Sequence, residues 1–299
     1  MNKGIWNGLG AYILWGFFPI YWKLLHEVSA LQVIGHRITW SFILLMGVIL
    51  LSRQWQEFRS AALVPKVIGI YAIAGVLLSV NWLIYVWGVN AGFIVETSLG
   101  YFINPLVSVL LGVLFLRERL RALQWIAVGL AAAGVIYLTF SYGRPPWIAL
   151  SLAFSFGIYG LVKKLAPLGS LYGLTLETAL VFPLALVYLV FVQSAGTGAF
   201  LHHGPLVDLL LIGTGAVTSI PLLMFASAAR QIPLTMIGVL QYIAPTLQFI
   251  LGVFLYHEPF DQSRFLGFSL VWLALIIFWV ENYLANRMPV QPIPELGEG

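Results

Sequence analysis

Residues 99–120 read LGYFINPLVSVLLGVLFLRERL, and residues 239–260 read VLQYIAPTLQFILGVFLYHEPF. Pro245 follows Pro105 by 140 positions, and the same offset pairs Ile103 with Ile243, Gly112 with Gly252 and Glu118 with Glu258. Sliding the whole chain by 140 also sets Gly75 on Gly215, Ser79 on Ser219, Leu83 on Leu223 and Lys23 on Lys163, with Arg37 falling on Glu177. Apolar coincidences come easily in such a sequence, so the proline, glycine and glutamate matches carry the weight. The chain states one pattern twice.

Composition says where that pattern lives. Hydrophobic residues make up 61% of the 299 positions and charged residues 9%, against roughly a quarter charged in soluble domains. Too few polar residues exist to cover a water-facing surface. An apolar helix of about 20 residues crosses a bilayer, so an all-α integral membrane protein is expected. Apolar spans are expected near 4–23, 30–51, 67–89, 93–116, 121–140, 146–165, 171–193, 205–229, 233–256 and 262–283. The apolar segment after Met1 lacks a small-residue cleavage site and reads as a retained first helix. Connections such as 90–92 are short, which predicts antiparallel neighbours. The longest are 52–66 and 194–204.

Ten spans divide into two sets of five. An odd number of spans makes the second set enter from the opposite face, so the repeats run 1–142 and 143–285 with inverted topology; 286–299, rich in proline, is expected to be a disordered cytoplasmic tail. Inverted repeats are a common build of secondary transporters, with the binding site near the midplane. If the chain starts in the cytoplasm, eleven of the 15 Lys and Arg residues fall on that side; Lys23, Arg144 and Arg264 fall opposite, and Arg37 lies inside a span. That bias predicts a cytoplasmic (inner) membrane location with both termini cytoplasmic. The net charge of +4 comes from few charges and signals no nucleic-acid partner.

GLGAYILWGFFPIYWK (8–23), the His36–Arg37 pair, ETSLGYFINPL (96–106) with its following GVLFLRE, and QYIAPTLQF (241–249) together resemble the RarD branch of the EamA-type drug/metabolite transporter superfamily, the chloramphenicol-sensitive-protein type. The resemblance covers residues 1 to about 285. It implies ten helices in two inverted repeats around a central cavity framed by helices 1, 3, 4, 6, 8 and 9. It further implies a permease for small metabolites or drug-like solutes, with export as the direction.

The polar residues inside the spans are the candidate site. Gln241, Pro245, Gln248 and Gly252 recur at spacings of four, three and four, as do Tyr101, Pro105, Ser108 and Gly112, so each set lies on one helix face. A proline inside a spanning helix frees a carbonyl, which protein or water must satisfy. These stripes therefore face the bundle interior or a cavity, with Asn104 and Tyr242 beside them; the bland alternative is that proline and glycine only permit close packing. Asn81 and Tyr85 share a face of the third span, Tyr12, Trp15 and Pro19 lie on the first, and Tyr159 on the sixth. Pro19, Pro105, Pro245, Gly112 and Gly252 are the expected helix-break or gating positions. Trp6, Trp55, Trp125, Trp147 and Trp279 sit near span ends, where tryptophan anchors to the interface.

Arg37, Glu96 and Glu177 are ionisable groups within spans, costly unless paired or on a pathway. Arg37 is expected to pair with Glu96, and Glu177 with Lys163 or Lys164; the functional alternative is proton uptake by a buried carboxyl. Glu118 and Glu258 are expected to hold loops by pairing with Arg119, Arg121 or Arg264. The chain has no cysteine, and His202–His203 has no further ligand at suitable spacing, so no metal site and no cofactor are expected. Neither a P-loop, GxSxG nor HExxH occurs. The reading is a non-enzymatic secondary active transporter working by alternating access. The alternatives are a non-transporting structural or signalling membrane protein and a membrane-embedded enzyme. A small-molecule solute and membrane lipid are the expected partners; proton coupling and a homodimer are compatible with the sequence.

Overall fold

The computed structural model describes residues 3–90, 94–141, 147–255 and 262–287. The proline-containing tail and Glu258 lie outside these residues, and Arg264 belongs to α13 with its side chain outside the description. The described chain is helical throughout: α1 (Lys3–Gly16), α2 (Phe18–Lys23), α3 (Ala30–Leu51), α4 (Trp55–Ala62), α5 (Pro65–Asn90), α6 (Ile94–Leu116), α7 (Ala122–Ser141), α8 (Trp147–Leu165), α9 (Ser170–Ser194), α10 (Pro205–Gln231), α11 (Leu234–Gln241), α12 (Ile243–Ile250) and α13 (Gln262–Arg287). A π-helical turn, Leu251–Leu255, follows α12 and contains Gly252.

Helices α3, α5, α8, α9 and α10 each hold a stretch long and apolar enough to span a bilayer. Another five spans come from α6, α7, α13 and two broken helices. The first broken span is α1 and α2, interrupted at Phe17 just before Pro19; the second is α11 and α12, interrupted at Tyr242 before Pro245. Large apolar side chains such as Phe140, Leu184, Val187 and Phe254 point outward and form the lipid-facing belt. The expected interfacial tryptophans at 6, 55, 125, 147 and 279 are exposed as well. Helix α4 was not foreseen in the 52–66 connection; it is amphipathic and buries Phe58 and Ala62 against α9.

These spans form a ten-helix membrane fold of two inverted five-helix sets around a central cavity. Its packing differs from a string of hairpins. The most extensive helix pairings join one set to the other: α6 with α8, α1 with α12, α7 with α13, α1 and α3 with α10, α6 with α11, α3 with α9, and α5 with α8 and α9. Shifting by the repeat offset exchanges α6–α8 with α1–α12, α1–α10 with α5–α8 and α3–α10 with α5–α9, and returns α7–α13, α6–α11 and α3–α9 to themselves, as a pseudo-two-fold axis requires. Sequence neighbours such as α5 and α6 touch much less.

The repeated glycines explain how the halves come so close. A Cβ on Gly215 would sit 2.6 Å from the Trp40 carbonyl on α3. Its counterpart Gly75 faces the backbone of Glu177 and the side chain of Val181 on α9.

Candidate functional site

A cavity of about 260 Å³ lies where the two halves cross. Its walls come from α1, α2, α3, α5, α6, α8, α10, α11 and α12. Trp22 ends the first span, Tyr85 lies near the end of α5 and Thr97 near the start of α6, and all three line the cavity. The cavity therefore occupies the half of the bundle away from the face where α1 begins.

Of the residues expected there, Tyr12, Trp15, Asn81, Tyr85, Tyr101, Asn104, Gln241 and Gln248 line it, with Pro19 and Pro245. Three others sit off it. Ser108 lies behind Gln241 and donates its hydroxyl to Oε1 at 3.1 Å. Tyr159 lies one aromatic layer below the floor, stacked on Phe225 at 6.0 Å between ring centres. Tyr242 points the other way, into a small void against α7 and α13. A single residue step turns a helical side chain by about 100°, which carries Tyr242 away from Gln241.

Proline chemistry accounts for part of the polar lining. Pro19 cannot donate to the carbonyl four residues back, that of Trp15. Gln248 from the other half donates Nε2 to that oxygen at 3.1 Å. The two quoted stripes meet through Ser108 and Gln241, and Gly238 of α11 comes so near α6 that a Cβ would lie 2.6 Å from the Pro105 carbonyl. Asn81 donates Nδ2 to the Leu152 carbonyl and the Ser155 hydroxyl, both at 2.9 Å, leaving its oxygen for the cavity. Asn104 is buried with Oδ1 unbonded among the described residues. The Tyr12 hydroxyl lies near Gln241 without a well-formed hydrogen bond.

Arg37 is the charged residue of this wall. Nε donates to Thr218 Oγ1 at 3.0 Å, and the guanidinium carbon lies 4.3 Å from the Trp82 ring centre and 4.8 Å from that of Trp22. Cation–π contacts of this kind hold a cation in an apolar wall. The expected partner, Glu96, belongs to α6, but its side chain lies outside the described residues. Trp22, Trp82, Phe156 and Thr97 are lining residues that sequence reasoning had not assigned to the cavity; tryptophan content of the first and third spans was the available signal.

Glu177 lies deeper, on the side where α1 begins. Its carboxylate accepts from Lys163 Nζ at 2.6 Å and from the Tyr159 hydroxyl at 3.1 Å, and both ions are buried. Of the two lysines considered, Lys163 forms the pair. Lys164 instead donates to the Ile232 and Ala229 carbonyls at 2.7 and 3.2 Å. Glu118 departs from the expected arginine pairing: its carboxylate accepts the backbone N–H groups of Leu234 and Thr235, at 2.7 and 2.9 Å, and caps α11 across the halves. A Cβ on Gly112 would sit 2.8 Å from that carboxylate, so this glycine makes room for the cap. Arg121 pairs with Glu281 at 2.9 Å. His36 is a packing histidine, accepting from Trp40 Nε1 at 3.3 Å.

Comparison with known proteins matches this architecture. The sequence profile of the EamA-like transporter family matches residues 2–140. An uncharacterized transporter of Bacillus subtilis, YojE, is 49% identical over 93% of each chain. Protein RarD of Streptomyces exfoliatus is 48% identical over 96% of this chain and 91% of its own. A solved crystal structure of an 18%-identical protein superposes with a TM-score of 0.70 over 96% of this chain and 99% of its own. With this sequence identity running nearly end to end, the chain belongs to the RarD branch of the EamA-like transporter family.

Proposed function

We propose that this multi-pass membrane protein is a secondary active permease that moves small organic solutes across the cytoplasmic membrane by alternating access, in the direction of export. The observation that carries the reading is the cavity of about 260 Å³ at the crossing of the inverted halves. It combines aromatic walls with unsatisfied amide and hydroxyl groups, and binding sites for small molecules pair apolar walls with a few placed polar groups in this way. Relatives named as transporters support the same function.

Alternating access follows from the packing. Because the halves share their contacts in mirrored fashion, exchanging the conformations of the two repeats turns a cavity open to one face into a cavity open to the other. Energy comes from a gradient, and protons are the coupling ion that buried carboxyls permit. Both Glu177 oxygens are engaged in this state, so its first role is an ion bridge that fixes α8 against α9.

The test is uptake of labelled solutes into proteoliposomes, with and without an imposed pH gradient. Protein-dependent flux, normalised to the amount of folded protein reconstituted, is expected to fall at least about tenfold in Asn81→Leu and Gln241→Leu. Flux equal to empty liposomes across a broad metabolite panel would overturn the transport reading. Flux unaffected by both substitutions would remove the cavity assignment.

A further inference from the structure

The two halves treat one position differently. In the second half Lys163 and Glu177, fourteen residues apart, neutralise each other at 2.6 Å. The matching positions of the first half hold Lys23 and Arg37. Two cations cannot make that bridge, so among the described residues the Lys163–Glu177 pair has no equivalent at the matching positions on the cavity side. Among the described residues that line the cavity, Arg37 carries the single formal charge.

The surroundings of Arg37 fix how a partner can approach. Trp22 and Trp82 lie against the guanidinium, and Thr218 takes Nε. The four terminal N–H donors lie in the plane of the group, and a planar guanidinium offers such edge donors to a carboxylate as a fork. Tyr85 and Tyr101 line the same cavity as Arg37 and pack edge to face, 5.9 Å between centres. Asn104, with its unbonded oxygen, stands one turn deeper on α6 than Gly100. A cation kept within a membrane span is costly when alone, and this one is built into an aromatic slot.

We propose that the cavity selects flat aromatic monoanions, with the solute's carboxylate on the Arg37 edge and its ring against the tyrosine and tryptophan walls. The inference rests on the transport reading and narrows it to a solute class. Charge selects here, since a neutral acceptor meets the guanidinium donors with weaker hydrogen bonds and leaves the charge uncompensated, and a cationic solute is repelled.

The test uses one ring with three charges: phenylacetate, phenylacetamide and phenethylamine, titrated by calorimetry into purified protein in nanodiscs. Phenylacetate is expected to bind about ten- to a hundredfold more tightly than the amide, the range for hydrogen bonds to a charged group. The amine is expected to bind weakest. Arg37→Gln should abolish the preference for the anion, and Arg37→Lys should keep part of it. The wild-type comparison needs no variant to fold. Amide or amine binding as tightly as the acid, no binding of the acid, or a preference that survives Arg37→Gln would each overturn the proposal. Parallel flux measurements separate the two readings: Arg37-dependent binding without flux sinks transport alone, whereas protein-dependent flux of neutral solutes without anion preference sinks the charge selection alone.

Discussion

Breaking a buried ion pair on one side leaves the other charge stranded, and the Lys163–Glu177 bridge supplies a direct case. Lys163→Met or Glu177→Leu alone is expected to cost about 3–5 kcal/mol, and the double variant clearly less than the sum of the two. Thermal unfolding in detergent of the two single variants and the double variant measures this; additive losses would mean that the ions do not act as a pair. Gln248 offers a second case. Gln248→Leu leaves the Trp15 carbonyl without its donor and is expected to cost about 1–3 kcal/mol, with Gln248→Asn, one methylene shorter, not restoring it. Residue positions were legible in sequence as far as helical spacing reaches: Asn81 with Tyr85, and Gln241 with Gln248, were placed on shared faces and line the cavity together. Contacts between residues far apart in sequence were not legible. Nothing in the order of residues says that Trp22 and Trp82 flank Arg37, or that Tyr242, next to Gln241, turns towards α13.

Helix ends and crossings carry the next level. Glu118 reaches α11 because Arg117 takes a left-handed φ of 54° and Gly112 leaves space. On the same face Lys164 holds the Ile232 carbonyl, and Arg230 donates to the carbonyls of Ala166, at 2.9 Å, and Leu168. At the opposite face the repeat replaces Lys164 and Arg230 with Leu24 and Asn90. The cluster therefore closes one end with two cations that the matching positions lack, Glu118 alone recurring in the repeat as Glu258, and the empty protein is expected to rest with the cavity reachable from the other end. The chain has no cysteine, so Asn104→Cys supplies a unique label; a membrane-impermeant thiol reagent should modify it mainly from the face opposite α1's start. Adding Glu118→Ala, which costs about 0.5–2 kcal/mol of capping, should raise labelling from the α1 side. Equal labelling from both sides before that change would refute the latch. At the α3–α10 crossing, Gly215→Ala pushes a methyl into the Trp40 backbone, with about 1–3 kcal/mol lost to overpacking. The sequence marked Gly75 and Gly215 as a repeated pair, but which helix each one meets depends on the fold.

Taken whole, the molecule follows from its repetition. The offset of the repeat, the odd number of spans in each set and the polar stripes were readable from the residues alone, because a bilayer leaves so few ways to hide a backbone. What escaped the sequence was the partner of each helix. Short connections suggested hairpins, yet α5 packs more on α8 and α9 than on α6, and α10 more on α1 and α3 than on α11. That cross-pairing has a consequence for biogenesis. A ribosome that has inserted the first five spans has delivered helices whose best partners are still unmade, so the early half must wait in the lipid with its glycine faces uncovered. Co-expressing residues 1–142 and 143–299 as separate polypeptides should restore a protease-resistant complex, while either fragment alone is degraded; an independently stable fragment would show that assembly does not wait for its twin.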